Sequence, residues 1–536
     1  MVNMKRENST EKEKNMEESR PMGKGCLEAK EHAMAKNGAE AENHAMAKNG
    51  AEAENHAIAK NGAEAKDHTM EKDCAMEKNR FMEKKDSAER NHGEKNYTAG
   101  KKAKAQRREW YKLDLSAIVY PTLQRRDFSS VYRLSVVLKE EIQPQVLQQA
   151  LDMTLPRFPT YKAAIRKGLF WRYLEPNDRP GPFVQEDVKN PCQPMYFKAN
   201  NRYLVRVYYF RSRIALEAHH SLGDGTGAMC LLLTMTATYL RLLGHTDIQN
   251  GGFVLNIEEP PNAEELEDAY MRYANAKVCP PRQEEKAYRV RGTAEPFYTL
   301  NIIDGIMSVS EVLQAAKRCR ATITEYLNAV LLYALMIKQQ EERRFRPRPV
   351  KIAMPVNLRR FFPSVTLRNF ITMIYPGIDP RLGEYTFEEI VLQVHNYMRY
   401  SLNEKLLRGD ITTNAATQRN PFIRVVPLFI KDFVVRQFYT RVQDRNSSAG
   451  LTNMGALQVP EGMKDHIDRF DIYMGQPFSR RTNCAIISFG DILTVNFASS
   501  IIEADVERYF FRKLVQDGIH VKIESNRESI AETLTL

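Results

Sequence analysis

The chain has 536 residues, more than one domain usually holds, so it can form two substantial cores. Its composition, 43% hydrophobic with a net charge of +11, is typical of a globular protein rather than a fibrous one. The mild basic excess suits either an anionic small ligand or an ordinary charged surface. The sequence lacks the zinc spacing, recognition-helix pattern and interleaved aromatic and basic residues that would predict nucleic-acid binding.

The cysteines and the apolar segments indicate the cellular compartment in which the protein is expected. The seven cysteines are scattered, with no CxxC pair, which argues against a disulfide framework and favours a reducing compartment. The longest apolar segment, AMCLLLTMTATYLRLLG, is too short and too polar to cross a membrane, and the N-terminus lacks the apolar core of a signal peptide. We expect a cytoplasmic protein without a transmembrane segment. Peripheral contact with a membrane and the oligomeric state stay open.

Residues 1–105 form a low-complexity tail with an internal repeat. EHAMAKNGAEA from Glu31 is followed by NHAMAKNGAEA from Asn43 and NHAIAKNGAEA from Asn55, a period of twelve residues. Each unit offers too little apolar area to offset about 1 to 2 kcal/mol of backbone entropy per residue. We therefore expect a disordered tail. Its histidines also recur every twelve residues, which puts no two on one helical turn and argues against a metal site.

The sequence after the tail is that of a folded body. SSVYRLSVVL at 129–138 alternates like a strand, and Pro144 begins a helix whose apolar residues share one face. Aromatic and β-branched segments then predict further strands, and Ala228 to Leu243 predicts a buried helix that ends at Gly244. A helix combined with a strand meander indicates an α+β sandwich. The Pro-, Gly- and Glu-rich segment near 250 to 295 is typical of a surface connection.

A second set of elements follows that connection. Three Ser or Thr residues with Glu three positions later carry the capping-box pattern of a helix start: Ser308–Glu311, Thr322–Glu325 and Thr386–Glu389. They predict helices near 309–319 and 323–340 and a third after Thr386. VKIAMPVN and NFITMIYPG predict strands, and the chain ends with a hairpin turning at Gly490–Asp491 and a helix near 504–516. We therefore expect an α+β fold of two similar halves, 106–290 and 291–536.

One short segment carries the chemistry of a candidate site. EAHHSLGDGTGAM places His219 and His220 ahead of Asp224, among three glycines. Side chains alternate along a strand, so the two histidines cannot both face one cavity, but alternation does not say which one does. A neutral imidazole at a cleft can take a proton from a hydroxyl or an amine. Asp224 could orient that imidazole or pair with an arginine and brace the loop; the tight turn favours bracing. A purely structural His–Asp turn is the alternative.

The motif resembles a known superfamily. His219-His220-Ser221-Leu222-Gly223-Asp224-Gly225 matches the HHxxxDG pattern of chloramphenicol acetyltransferase, peptide-synthetase condensation domains and alcohol acetyltransferases. Four further segments look similar to the alcohol acetyltransferase-like branch: WYKLDLSAIVYP, RFPTYKAAIRKGLFWRYLEPN, MPVNLRRFFPSVTLRNF and LTNMGALQVP. The resemblance covers roughly Glu109 to the C-terminus. The DFGWG element of plant members is absent from the sequence, so a plant-type assignment is not favoured.

The resemblance implies two chloramphenicol-acetyltransferase-like α/β sandwich halves around a central channel. It implies that His220 is the general base, with Asp224 and Gly225 in the catalytic motif and His219 structural. It also implies that Asp224 pairs with an arginine of the second half, for which Arg359 is the candidate and Arg360 the alternative. Asn369 falls where condensation enzymes often read Gly-Asn-Phe. Arg368 replaces that glycine here, which puts close backbone approach in doubt.

The expected reaction is acyl transfer from a thioester, with acyl-CoA as co-substrate, to a small alcohol or amine. No metal and no permanently bound cofactor are expected, and the residues that bind CoA cannot be named from the sequence. Backbone N–H groups at Gly225–Gly227 are candidates for holding an oxyanion. Cys230 lies in a strongly apolar helix, so we expect a core residue rather than a nucleophile.

Two readings compete with this one. A condensation-like enzyme would use acyl groups bound to a carrier protein, although no carrier domain follows in this chain. A non-catalytic member of the fold would act as a binding or scaffold module, and the intact His-His and Asp-Gly pairs count against it. A third alternative is that the repeats of residues 1–105 make the protein chiefly a binding partner of other molecules. We expect instead that deleting residues 1 to 105 leaves catalysis intact.

Overall fold

The computed structural model describes residues 110–124, 128–277, 285–296, 299–342, 346–441, 445–475 and 481–527. The chain divides between Ala105 and Gln106 into two units, and the second, Gln106–Leu536, contains all of these residues. The expected disorder of the repetitive tail lies outside the described residues.

The described residues form sixteen strands. In chain order these are β1 Tyr111–Lys112, β2 Val131–Leu138, β3 Ala163–Lys167, β4 Arg172–Pro176, β5 Val184–Glu186, β6 Val205–Phe210, β7 Arg213–His219, β8 Asn301–Ser308, β9 Val350–Asn357, β10 Ile371–Ile374, β11 Gly377–Ile378, β12 Ala449–Ala456, β13 Ile467–Met474, β14 Thr482–Phe489, β15 Ile492–Ser499 and β16 Lys522–Ser525.

Twelve α-helices accompany these strands in the described part of the chain. They are α1 Tyr120–Leu123, α2 Pro144–Thr154, α3 Gly225–Leu242, α4 Ala269–Tyr273, α5 Val309–Arg318, α6 Ile323–Gln340, α7 Phe387–Ser401, α8 Glu404–Arg419, α9 Pro421–Val425, α10 Leu428–Arg441, α11 Glu461–Lys464 and α12 Asp505–Gln516. Short 3-10 turns occur at Leu155–Arg157, Asn200–Arg202, Ala263–Leu266, Leu358–Arg360 and Pro380–Leu382.

The first half is built on a five-stranded sheet in the order β13-β2-β7-β6-β5. Helices α2 and α3 pack together, and α3 also contacts β2 and β7. Pro144 occupies the first turn of α2, where its missing N–H costs nothing. The apolar residues of α3 are buried almost throughout, since the helix lies within the larger hydrophobic core. A three-stranded sheet in the order β1-β4-β3 completes this half.

The second half is built on an eight-stranded sheet in the order β10-β9-β12-β14-β15-β8-β16, with β11 also paired to β9. Helices α5, α6, α7 and α12 contribute to its own core cluster. Thr322 and Thr386 both form complete capping boxes, as predicted. Ser308 caps α5, but the Glu311 carboxylate accepts a hydrogen bond from the His520 backbone N–H instead, so this pattern is not a full capping box.

One strand crosses between the halves. β13 comes from the second half of the sequence and pairs with β2 along its length at the edge of the first sheet. It also contacts β14 and β15 of the larger sheet. The expected α+β architecture of two sandwich halves is confirmed, with the difference that the sequence division near residue 290 does not separate the two sheets.

Candidate active site

The His-Asp segment is the connection between β7 and α3. β7 ends at His219, and α3 begins at Gly225 with Asp224 as its N-cap. The Oδ1 atom of Asp224 accepts hydrogen bonds from the backbone N–H groups of Thr226 (3.1 Å) and Gly227 (3.3 Å). These contacts satisfy two of the amides that a helix start leaves without partners, and they place a negative charge where the helix dipole favours it.

His219 is packed inside the first half. Its side chain is buried, its Nδ1 accepts a hydrogen bond from the Ser221 backbone N–H (3.2 Å), and its ring meets Phe197 edge-on. Desolvation and the neighbouring His220 lower the pKa of His219 to about 3. His219 is not among the residues that line the large cavity described below.

His220 lines that cavity and is held on both sides. Its ring stacks on Tyr120, with the centroids 4.8 Å apart, and lies 4.3 Å from the ring centroid of Tyr132. Its backbone N–H donates to the Ser130 carbonyl (2.9 Å), and its carbonyl accepts from the Asn369 side-chain amide (2.9 Å). The main chain of His220 is therefore tied to both halves of the molecule.

The protonation state of His220 follows from this environment. Desolvation lowers the pKa of His220 to about 4, although the Asp224 carboxylate and hydrogen bonding by Asn369 and Gly223 act in the opposite direction. The imidazole is therefore neutral near pH 7, and a nitrogen lone pair is available. Its Nδ1 is buried without a hydrogen-bond partner.

Asp224 joins the two halves through Arg359. The Nη1 atom of Arg359 donates to Asp224 Oδ2 at 2.8 Å, and both side chains are largely buried, 10% and 3% exposed. The guanidinium also donates to the carbonyls of Thr366 (2.8 Å from Nη2) and Arg368 (2.5 Å). The Phe370 backbone N–H donates a further hydrogen bond to Asp224 Oδ2 at 2.9 Å. The expected contact between Asp224 and Arg359 is thus present. The Asp224 carboxylate braces the loop by pairing with the arginine and does not orient the imidazole directly.

Two glycines of the segment are required by close packing. A Cβ on Gly227 would lie 1.9 Å from the Leu367 carbonyl oxygen, and one on Gly223 would lie 2.5 Å from the Tyr161 hydroxyl. A Cβ on Gly225 would meet only Met454, whose Sδ would be 3.2 Å away. Gly225 lines the cavity, so its small size keeps the helix start accessible.

The site includes a buried carboxylate that the sequence did not single out. Asp114 Oδ2 accepts a hydrogen bond from Asn369 Nδ2 (3.0 Å), and the same amide holds the His220 carbonyl. Arg368 Nε lies 3.6 Å from Asp114 Oδ2. Burial raises the pKa of Asp114, opposed by Arg368 and Asn369. Asp114 lies within WYKLDLSAIVYP, but nothing in that segment alone indicates a partner so distant in sequence.

The arginine at 368 does not prevent close backbone approach. Its side chain points toward β1, where its Nη2 donates to the Lys112 carbonyl, and it is buried. The Phe370 backbone N–H is therefore free to contact the Asp224 carboxylate, and the Asn369 side chain contacts the His220 carbonyl. The doubt raised by Arg368 in place of glycine is resolved in this way.

The cavity lies between the halves and has a volume of about 1660 Å³. Single-ligand pockets usually have volumes of about 300 to 1,000 Å³, so this one has room for two substrates side by side. Both halves supply its walls, including Ser116, Tyr120, Tyr132, His220, Gly225, Met354, Thr452, Asn453 and Phe438.

Two of the amides expected to hold an oxyanion are already committed. The N–H groups of Thr226 and Gly227 donate to Asp224, so the proposal that Gly225–Gly227 form an oxyanion hole is wrong for these two groups.

Cys230 is buried in α3, and desolvation raises its pKa to about 12, which disfavours a thiolate. Within the described ranges, no cluster of three or more His, Cys, Asp or Glu could hold a metal ion. In the same part of the chain, none of the helices combines the length and apolarity needed to span a bilayer.

Comparison with known proteins gives matches in structure but not in sequence. No protein-family model and no curated protein sequence matches the chain. Solved structures do match it. The condensation domain of the Monacolin K polyketide synthase MokA has 12% identity and a TM-score of 0.47, covering 76% of this chain and 96% of that one.

Two acyltransferases match to a similar extent. The trichothecene 15-O-acetyltransferase of Fusarium sporotrichioides has 14% identity and a TM-score of 0.46, over 78% of this chain and 96% of that one. The wax ester synthase/diacylglycerol acyltransferase of Marinobacter aquaeolei VT8 has 12% identity and a TM-score of 0.48, over 76% and 98%. These three neighbours are a condensation domain and two acyltransferases. These are proteins of the superfamily that the HHxxxDG motif resembles.

Proposed function

We propose that the chain is an acyltransferase that moves an acyl group from a thioester, with acyl-CoA as the donor, to an alcohol or amine. The observation that carries this proposal is the neutral imidazole of His220 in the wall of a cavity large enough for two substrates. A base that is unprotonated near pH 7 and held in a fixed position can remove the proton of an attacking hydroxyl or amine.

The proposed reaction begins with the acceptor bound beside His220. As the acceptor oxygen or nitrogen attacks the thioester carbonyl carbon, the His220 imidazole takes the proton that the acceptor loses. The tetrahedral intermediate then collapses, the C–S bond breaks, and the imidazolium returns the proton to the departing thiolate. The products are the ester or amide and the free thiol, and His220 is neutral again. No covalent bond to the protein is needed.

The surrounding residues act as positioning residues in this scheme. Asp224 and Arg359 fix the helix start that follows His220, and Asn369 with Asp114 fixes its backbone carbonyl. Holding the base in one place matters because well-oriented reacting groups can lower a barrier by several kcal/mol, and about 1 Å of misplacement can cost on the order of a hundredfold in rate. His219 supports the end of β7 by packing.

Thioester-dependent product formation by the full chain tests the proposal. We expect His220→Ala to lower the rate about 10² to 10⁴-fold, the usual contribution of general base catalysis. His520→Ala is the matched control, because the His520 side chain is 92% exposed and is not part of the cavity wall. Circular dichroism and thermal melting check that both variants are folded. A His220→Ala protein that works at the unmodified rate would refute the assignment.

The donor is tested in the same assay. Thiol release from acetyl-CoA and longer acyl-CoAs across a panel of alcohols and amines should exceed release from the same acyl groups on an acyl-carrier protein. The opposite order would favour a condensation-like enzyme. Absence of transfer from both donors, in a protein that melts normally, would favour a non-catalytic binding module.

A further inference from the structure

The segment that follows α8 exposes an unusual number of apolar side chains. Four phenylalanines in α9 and α10 are more than half exposed: Phe422 (79%), Phe429 (72%), Phe433 (64%) and Phe438 (57%). Together they present on the order of 500 Å² of apolar surface, at about 200 Å² per side chain. That already matches the largest apolar patch of a typical monomer, about 300 to 600 Å². Val425, Val434 and Ile430 add to it.

α10 is apolar around most of its circumference: Leu428 and Val435 are partly buried on the side that carries Asp432, and a second apolar face is exposed. Its acidic residue, Asp432, faces the body of the protein, where Oδ2 accepts from Arg172 Nη2 (2.5 Å) and Oδ1 accepts from Thr122 Oγ1 (2.9 Å). Lys431 Nζ donates to the Phe170 carbonyl at 2.9 Å. Polar contacts thus fix the inner side of the helix, while Phe429 and Phe433 face outward. A surface helix normally buries its apolar stripe, so an outward stripe indicates an external partner.

The arrangement of charge around this stripe indicates the kind of partner. At 100° per residue, five apolar side chains fall on one face of α10: Phe429, Ile430, Phe433, Val434 and Phe438. Arg436 and Lys431 lie at the two borders of this face, and each also donates to a backbone carbonyl of the body, Arg436 to Thr122 (3.2 Å) and Lys431 to Phe170. Between residues 419 and 436 the chain has four basic residues and one acidic residue, and that acidic residue is paired with Arg172. An exposed aromatic and aliphatic face in a segment of net positive charge is complementary to a surface of anionic lipid.

The β3–β4 hairpin extends the same surface. The Leu428 backbone N–H donates to the Leu169 carbonyl at 2.9 Å, which holds the hairpin tip against the start of α10. Leu169 is 69% exposed and Trp171 is 50% exposed. Exposed tryptophan is characteristic of protein surfaces that sit at the boundary between lipid and water. We call α9, α10 and this hairpin tip the apolar surface.

The apolar surface is continuous with the wall of the cavity. Val434, Val435 and Phe438 of α10 line the cavity that His220 also lines. We propose that the apolar surface docks the protein on a membrane that contains anionic phospholipids, with α10 lying in the plane of the headgroups. The proposal concerns binding alone and holds whatever chemistry takes place at His220.

Co-sedimentation of the full chain with phospholipid vesicles tests the proposal. We expect binding to vesicles of equal parts phosphatidylcholine and phosphatidylserine, and weaker binding at high salt or to phosphatidylcholine alone, because the attraction of basic side chains to anionic lipid is screened. Phe429→Ser with Phe433→Ser should weaken binding about tenfold or more, since both rings lose their insertion. Neither residue lines the cavity, so acyl transfer from a soluble thioester should be unchanged in this variant.

A matched control shows whether the loss of vesicle binding is specific to the apolar surface. Leu382→Ser with Leu392→Ser removes two apolar side chains that are equally exposed, 81% and 59%, but lie outside the apolar surface, and this variant should bind as the unmodified chain does. The chain has two tryptophans, Trp110 and Trp171. Quenching of their fluorescence by brominated lipid should decrease in a Trp171→Phe variant; the quenching that remains would come from Trp110, whose ring packs on Tyr173 of β4.

Three results would overturn the proposal. The first is no binding to either kind of vesicle. The second is binding by the Phe429→Ser, Phe433→Ser variant equal to that of the unmodified chain, or quenching that Trp171→Phe does not change. The third is a self-associated species that sediments as a single component and becomes monomeric in the same variant, which would assign the apolar surface to a second copy of the chain. A loss of vesicle binding with acyl transfer retained separates this proposal from the one made for His220.

Discussion

Replacing Asp224 by asparagine should destabilise the protein strongly because the carboxylate has no neutral substitute in its position. Its two oxygens accept five hydrogen bonds, from the backbone N–H groups of Thr226, Gly227 and Phe370 and from two nitrogens of Arg359. An amide NH₂ group in place of either oxygen would face at least two of these donors. Arg359 would also lose its counter-charge where its side chain is only 10% exposed.

The expected magnitude follows from that burial. Removing one partner of a buried ion pair typically costs about 3 to 5 kcal/mol, because the other charge is left without compensation. At a urea slope of about 3 kcal/mol per M, the unfolding midpoint should fall by about 1 to 2 M. Lys464→Met is the matched control, since its ion pair with Glu461 has a similar length of 2.6 Å but is exposed. Its loss should cost less than about 1 kcal/mol.

Urea unfolding followed by circular dichroism measures both variants, together with Arg359→Met and the double variant Asp224→Asn, Arg359→Met. The double variant should be less destabilised than the sum of the single variants by about 0.5 to 3 kcal/mol, because the second substitution removes the charge that the first leaves unpaired. Strictly additive losses, or an Asp224→Asn midpoint equal to that of the unmodified chain, would show that the contact between the halves does not stabilise the fold in this way.

Two further predictions concern the same segment. Since the pKa of His220 is lowered from 6.5 to about 4, the base stays unprotonated as pH falls, and kcat/KM should decline with a midpoint near pH 4; a midpoint near 6.5 in the pH profile would contradict the desolvated imidazole. Below pH 6.5 the unfolded chain takes up the proton that folded His220 does not bind, so this residue's contribution to stability should decrease between pH 6.5 and 4. Gly227→Ala should lower the thermal midpoint far more than Gly225→Ala, because the new Cβ would be 1.9 Å from a backbone carbonyl oxygen in one case and 3.2 Å from a flexible methionine in the other. Equal midpoints for the two alanine variants would show that the Leu367 backbone moves aside.

Local patterns in the sequence predicted local structure. Thr322 with Glu325 and Thr386 with Glu389 begin helices where expected, and the final hairpin turns at Gly490, whose φ of 56° suits glycine. These features depend on residues a few positions apart, so the sequence contains all that decides them. Ser308 with Glu311 shows the limit, because a residue far along the chain, His520, takes the Glu311 carboxylate.

The candidate site was predictable only in part, for the same reason. The position of His220 and its likeness to a known motif can be read from adjacent residues. The contacts that fix its environment join distant segments: Tyr120 stacks on the ring, and Asp114 reaches it through Asn369, 255 positions away. The outward apolar stripe of α10 was also missed, since periodicity shows which residues share a face but not whether that face is turned to the core or to solvent.

The exchange of β13 between the halves has a consequence for synthesis on the ribosome. β2 lies next to β13 in the sheet and has hardly any exposed residues, so until Met474 has been made this strand presents an open, apolar edge. Polypeptide elongation proceeds at about 5 to 20 residues per second, so more than 300 residues separate β2 from its partner by some tens of seconds. During that time the nascent chain must be protected from pairing with other strands, because an unpaired apolar edge promotes aggregation. A fragment that stopped near residue 290 would keep that open edge permanently.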